Sequence, residues 1–590
     1  MANKEHYYPF IEEVFINPVR SVLIIDDDYP TFDEVLRDDN GQKKDWHSTP
    51  DRNRIYKVIR KFRERSHPLL VDVSDGTNIP ADPGKISHLH QSDLLVLDYE
   101  LDKTSPEDGT TAINILRGLM SNRHFNLVVV YTQVELDKVF DEVRWSLIDE
   151  SDDSLSPEKL KEAEKLIEES EDKLEGFEQQ LRESLPAEGY FYSRLNSKKY
   201  LRDMAKGRQP YSAFYDQIKE LDWNSDQKKL VLRYLLKEIE RKNRSSEDKS
   251  FSLSWSRPTG PVKWIRSDSA FVAFSQKSDD DDLIKKLQSA LNNWCPNPSR
   301  LFLTKIQAEI NESGFVAQEQ ALNNDHAAAY WYERLLQADD EAERHWLAAE
   351  NIARHSDQLM DIVLGNVEGF VNKLIEAEIE RIEEKGENIG NLCKERFDID
   401  LGNADTRIRA ALEHNEFVCN KKPEGWHLTT GHVFSMCNGE YWVCLSPACD
   451  MVPSQISDWN KQTSGDNLPF IGVKLLFSKD SITLKHIRSN RIVVLKVNGE
   501  IKGFSFNDLS EEGSTPFWNL LYAENQGKFA NDFRFKVLRT EKNGENLIFN
   551  SYEAEVVSQL RYEYALNLIQ KLGVSLTRVG LDFSDGKSKS

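Results

Sequence analysis

The sequence predicts an α/β protein: a doubly wound, five-stranded parallel sheet carrying a helical insertion, then a helical connector, then a β-rich α+β C-terminal domain. Three observations predict it. In the first third, short and nearly continuous apolar runs end on carboxylate or hydroxyl residues and alternate with helical periodicity. Long, charged stretches of helical pattern follow. From about residue 400, short alternating strands with Gly and Asn turns replace them.

Composition bounds the function. A chain of 590 residues, 39% hydrophobic and 30% charged, holds roughly two to four domains of a soluble kind. The net charge of −23 argues against a general nucleic-acid binder, which needs a basic face to release counterions. No apolar run is long enough to span a bilayer, and the opening MANKEHYYPF lacks the apolar core of a signal peptide. Six cysteines without paired spacing fit a reducing compartment, so a cytoplasmic protein is expected.

Ser21 to Ile25 reads as a buried strand running directly into Asp26, Asp27 and Asp28. Three adjacent carboxylates repel one another unless a cation neutralises them; the plainer alternative is an acidic turn. Helical patterns around Phe32–Leu36 and Ile55–Phe62 flank a polar loop, and Leu69 to Val73 reads as a second strand. Leu94 to Leu97 reads as a third strand, buried on both faces, with Asp98 at its carboxyl end. Ligands and chemistry collect at that end of an open α/β sheet, although a lone Asp there can simply start a turn. A loop with Asp108 and Gly109, a helix from Thr111 to Met120, and a fourth strand from Leu127 ending in Thr132 complete the pattern.

Asp26 and Asp27 after the first strand, Asp98 after the third, Asp108-Gly109 in the next loop and Thr132 after the fourth resemble the response-regulator receiver domain of two-component signalling. That resemblance implies a flavodoxin-like sheet and a lysine after a fifth strand. The run Ser269 to Lys277, followed by SDDDDLIKKLQSAL, supplies both, with Phe274 in the aromatic switch position. The implied phosphoacceptor is Asp98. The implied Mg2+ site has Asp27 and Asp98 as direct ligands, Asp26 holding a coordinated water, and the backbone carbonyl of Glu100 completing the protein side. Lys277 and Thr132 would contact the phosphoryl group, Thr132 and Phe274 would form the switch, and Glu100 would tune phosphoryl lifetime. Three features depart from the family: long early loops, Ser278 where a proline is usual, and an interruption before the fifth strand. The expected domains are therefore 1–297 (core 18–140 and 258–297, helical insertion 141–257), 298–400 as helical connector, and 401–590.

In the insertion, Leu160, Ala163, Ile167, Leu174, Phe177 and Leu181 follow a 3-4 alternation closed by Pro186. Residues 157–185 thus predict either a homodimeric coiled coil or half of an intramolecular hairpin with a helix near 226–242. In the connector, His326, His345 and His355 lack metal-ligand spacing, and Trp331, Tyr332 and Trp346 are expected to fill a core. Further on, His427 to Pro447 predicts a hairpin with an Asn438-Gly439 type I′ turn. Further strands are expected at 470–477, 481–488, 491–497, 501–506 and 533–538. A last helix, 553–572, presents Val557, Leu560, Tyr564, Leu568 and Leu572, with Gly573 as its stop. Cys419, Cys437, Cys444 and Cys449, with His427 and His432 nearby, match no common zinc spacing, and Cys449-Asp450 lacks an identifiable base.

The resemblance implies a partner histidine kinase as phosphodonor, and an effector or second receiver protein downstream. The architecture also resembles receiver proteins of bacterial anti-phage two-component systems, acting as regulator or phosphate sink. No reaction beyond self-phosphotransfer and autodephosphorylation is expected. Two other readings stay open: a nuclease or toxin-like effector in the C-terminal barrel, and a pseudo-receiver serving as an interaction scaffold.

Overall fold

A computed structural model describes residues 5–29, 52–74, 76, 89, 92–101, 108–122, 124–197, 199–245, 249–278, 282–322, 325–338, 341–453, 464–477, 492–508 and 515–577. The helical pattern around Phe32–Leu36 and the strand expected at 481–488 lie outside the described residues. The chain divides into two compact units, Met1–Ala308 and Glu309–Ser590.

The first unit is built on one sheet. Its strands are β1 (Ser21–Ile25), β2 (Leu70–Ser74), β3 (Leu94–Asp98), β4 (Asn126–Thr132), β5 (Ser254–Trp255), β6 (Lys263–Arg266) and β7 (Ala270–Gln276), in the order β2-β1-β3-β4-β7-β6-β5. The first five in that order run parallel. The sheet therefore has seven strands where the sequence predicts five. The edge of β7 is covered by the antiparallel β6, and β6 by β5. Strands of four and two residues are too short to register as a period.

Every residue of β3 and β4 is buried, which is why both read as unbroken apolar runs. The helix Thr110–Met120 carries the chain from β3 to β4, burying Ala112, Ile115, Leu116 and Leu119. The helix Leu136–Leu147 follows β4 and buries Val139, Phe140, Val143 and Leu147. Six more helices then precede β5: Pro157–Glu171, Phe177–Glu183, Ala187–Leu195, Tyr200–Ala205, Ser212–Ile218 and Ser225–Asn243. All of this lies between β4 and β7, which are neighbours in the sheet.

Of the two readings of residues 157–185, the intramolecular one is what the structure shows, with Pro157–Glu171 packed on Ser225–Asn243, although the helix is not continuous. The helix stops at Glu171 and restarts at Phe177, with Gly176 at φ 77° in the left-handed region that glycine adopts freely. Ala163, Ile167, Phe177 and Leu181 face inward and share one core with Val128 and Val130 of the sheet. The seam is used within the chain. Arg144 joins these helices to the sheet side. Only 1% exposed, its guanidinium lies 4.4 Å from the Phe140 ring centroid and 3.7 Å from that of Phe191, and it pairs with Asp141.

In the second unit, the helices Asp325–Gln337, Glu341–Lys385, Ile389–Phe397 and Ala404–Cys419 precede a barrel. Val363, Val367, Phe370 and Leu374 form the buried stripe of the long helix. Tyr332, expected in a core, is 59% exposed, because the helix that carries it buries none of its described side chains.

The strands that follow are β8 (Asn420–Lys421), β9 (His432–Met436), β10 (Tyr441–Cys444), β11 (Leu468–Phe477), β12 (Ile492–Val497), β13 (Glu500–Ser505), β14 (Trp518–Ala523), β15 (Arg534–Asn543) and β16 (Asn546–Leu560). Because β10 pairs with both β9 and β11, the circuit β9-β16-β15-β14-β11-β10 closes into a six-stranded barrel. Phe434, Trp442, Phe470, Leu521, Phe535 and Val556 fill its inside. A second apolar layer on the outside joins Val443, Leu475, Leu495 and Phe504 to Leu568 and Leu572 of the helix Tyr562–Leu576.

Two further expectations change. Residues 553–560 belong to β16, and the last helix begins only at Tyr562, after Arg561, and runs past Gly573 to Leu576. Ala554 and Val556 enter the barrel while β9 and β15 pair with the backbone, so strand pairing overrides the helical spacing. The β9–β10 turn has three residues, not two: Gly439 N–H donates to Met436 O, Met436 N–H to Glu440 O, and Gly439 sits at φ 81°. That is a type I turn with a glycine bulge.

Candidate functional site

The parallel pairing of β1 and β3 sets Ile25 beside Leu97, so Asp26 and Asp98 leave the sheet side by side. On the other flank β4 and β7 end together, with Thr132 opposite Gln276, and the Lys277 N–H donates to Thr132 O at 2.7 Å. This register aims the Lys277 side chain across the strand ends. Its Nζ lies 2.8 Å from Asp98 Oδ2 and 3.2 Å from Asp26 Oδ2, although Lys277 and Asp98 are 179 positions apart. The side chains of the lysine and both carboxylates are 3% exposed or less.

Asp26, Asp27 and Asp98 each bring one carboxylate oxygen within 4.8 Å of the others, the one such group among the described residues that could hold a metal. Hard oxygen donors from a tight, anionic pocket suit Mg2+. Burial raises the pKa of Asp26, against the pull of Lys277. Burial and the charge of Asp26 together lift Asp98 to about 7. Burial disfavours the Lys277 ammonium, but the two carboxylates outweigh it and raise its pKa. Two buried carboxylates and one lysine thus leave an excess of negative charge that a divalent cation would offset. The donor set fits such an ion.

Thr132 is fully buried, and its hydroxyl donates to Glu100 Oε2 at 3.2 Å while the Gln133 N–H donates to the same oxygen at 2.7 Å. The Glu100 carboxylate therefore ties the loop after β4 to the loop after β3. Phe274, two residues before the end of β7, packs edge-on against Phe140 with ring centroids 5.5 Å apart. Asp108, one residue before the N-cap Gly109, accepts from the Thr110 N–H at 2.9 Å. Gly109 is required beside it, since a Cβ there would lie 2.0 Å from the Tyr99 ring.

Three neighbours escaped the sequence reading. The Tyr131 ring centroid is 5.8 Å from Lys277 Nζ. Tyr29 is buried, and burial with the charge of Asp26 pushes its phenol well above the ordinary range. Arg54 is buried beside Asp28. Tyr29 directly follows the acidic triplet, which was a usable signal; Arg54 carried none.

The order of the parallel strands is that of a doubly wound sheet, with the acidic pocket at the carboxyl ends of its strands. Residues 18–176 match the family model of the response receiver domain, so such a domain is present in the first unit. The match ends before Lys277. No curated protein and no solved structure matches the chain. No helix among the described residues is long and apolar enough to cross a membrane.

The second unit has an open cleft lined by Asp405, Arg409, Glu413, Glu416, Lys496 and Lys502, with carboxylates and cations intermixed. Among the unit's described residues, cysteines and histidines form no metal group. His432 Nδ1 accepts from the Thr429 N–H at 3.1 Å, and Nε2 meets Glu424 O at 3.2 Å. The Cys449 thiol is exposed and donates to its neighbour Asp450.

Proposed function

We propose that the first unit takes a phosphoryl group onto Asp98 from a partner histidine kinase, with Mg2+ held by Asp26, Asp27, Asp98 and the Glu100 carbonyl. An Asp98 carboxylate oxygen forms the new bond to phosphorus as the bond to the donor breaks, and the donor leaves with the electron pair. The metal ion, when bound, neutralises charge on the transferring group. Lys277 supplies a positive charge to the phosphoryl oxygens, and burial makes that charge count for more than it would in water. After transfer, the Thr132 hydroxyl exchanges the Glu100 carboxylate for a phosphoryl oxygen. That movement loosens the tie between the two loops and lets Phe274 shift against Phe140, a two-state element biased by one charge event.

The reading rests on one observation: Lys277 Nζ lies 2.8 Å from Asp98 Oδ2, the long intervening segment notwithstanding. In this reading residues 141–257 are an insertion in the receiver, 298–400 a connector, and 401–590 a domain that answers the switch. A role as regulator or phosphate sink in a bacterial signalling or anti-phage system follows from resemblance of architecture. Incubating the full chain with acetyl phosphate and Mg2+ tests the assignment. One phosphoryl group per chain is expected, lost on adding a chelator and absent from Asp98→Asn. Equal labelling of that variant would overturn it.

A further inference from the structure

The three carboxylates of the acidic triplet are not used alike. Asp26 and Asp27 join Asp98 in the group that could hold a metal; Asp28 does not. The Asp28 side chain, 28% exposed, instead faces Arg54, whose guanidinium nitrogen lies 3.8 Å from Asp28 Oδ2. The backbone ties the two halves of the triplet together, because the Asp28 N–H donates to Asp26 Oδ1 at 2.9 Å. Arg54 stands in the first turn of the helix Arg52–Arg63 and is only 6% exposed, an unusual position for a guanidinium. At 3.8 Å this contact is an ion pair, not a hydrogen bond, so it acts on Asp28 through charge. That charge stands next to the pocket, because the Asp28 it faces is bound through its N–H to Asp26, whose other carboxylate oxygen meets Lys277.

We propose that Arg54 is a positioning residue that sets the charge of the phosphoacceptor pocket. It holds Asp28 out of the metal set and supplies, beside Lys277, the second positive charge met by an anionic phosphodonor. The inference rests on the proposed function and deepens it. Among these six groups, Asp26, Asp27, Asp28 and Asp98 oppose Lys277 and Arg54, leaving a formal charge that one divalent ion cancels. Without Arg54 the excess grows by one charge. A divalent cation should then bind more tightly, while a phosphorylated anion approaches less readily. These effects have opposite signs, whereas a merely structural role would weaken both.

The experiment uses the full chain with Arg54→Gln, Arg54→Lys and the double variant Arg54→Gln/Asp28→Asn. Mg2+ affinity is read by titration calorimetry, and labelling rate by acetyl phosphate at saturating Mg2+. Arg54→Gln should bind Mg2+ several-fold more tightly and label about tenfold more slowly. Arg54→Lys should stay close to wild type on both, and the double variant should return the affinity to wild type. Loss of Mg2+ affinity in Arg54→Gln, or no change in either quantity, would overturn the proposal. If wild type binds Mg2+ but takes no label, the proposed function fails, while the affinity arm still decides the role of Arg54.

Discussion

The two units handle charge in opposite ways. In the first, Asp26, Asp98 and Lys277 are buried together at the ends of parallel strands. In the second, the barrel inside is apolar, and the charged cluster of Glu440, Lys474, Arg539 and Glu541 remains partly exposed. Burial works upward on Glu440, but hydrogen bonds from Lys474, Arg539 and Trp442 outweigh it and bring its pKa to about 2. Each charge there has a partner within the cluster, which suits closure of a barrel. Buried charges that repel one another are poor sources of stability, so their presence points to chemistry. The same residue types are thus buried in mutual repulsion in one unit and paired near the surface in the other.

Charge removal should separate the units sharply. Lys277→Met should slow phosphoryl uptake from acetyl phosphate by at least about a hundredfold, the effect of losing a placed charge-stabilising group. Quench-flow or gel-shift time courses would show it, and a change under threefold would erase the contrast. Arg144→Ala should destabilise the first unit by about 3 kcal/mol without changing the labelling chemistry, because it empties the space between Phe140 and Phe191. Urea unfolding followed by tryptophan fluorescence measures this.

In the second unit, burial lowers the pKa of His432 from 6.5 to about 4. The unfolded chain then binds more protons between those values, so stability holds above pH 6.5 and falls as the pH drops towards 4. Between pH 7 and 5 the loss should be about 2 kcal/mol. Urea titrations at the two pH values should show the wild type losing about 2 kcal/mol more than His432→Gln, and an equal loss in both would contradict the assignment. Glu440→Gln should have the smallest effect, about 1 kcal/mol, since its ion pairs are partly exposed. A loss as large as that of Arg144→Ala would mean the barrel cluster does more than close the structure.

Legibility followed burial. β3 and β4 are buried on both faces, so their apolar runs, and the Asp98 and Thr132 at their ends, were plain in the sequence. Lys277 was reached only through the family resemblance, because nothing local ties it to Asp98. β5 and β6 were missed for their shortness. Residues 557 to 572 carry apolar side chains at helical spacing across the junction at Arg561, which disguised the end of β16 as a helix. The break at Gly176 was hidden by a heptad pattern that continues through it. Arg54 was invisible for another reason: its meaning depends on Asp28, which only the tertiary fold brings near.

The most direct test of the central claim is to identify the atom that carries the phosphoryl group. Full-length protein treated with acetyl phosphate and Mg2+ would be reduced with borohydride, which converts an aspartyl phosphate to homoserine, and its peptides sequenced by mass spectrometry. The account predicts homoserine at position 98 alone, and none in Lys277→Met at the same early time. Homoserine at another aspartate, or a phosphoryl group on a histidine or serine with Asp98 unchanged, would contradict it.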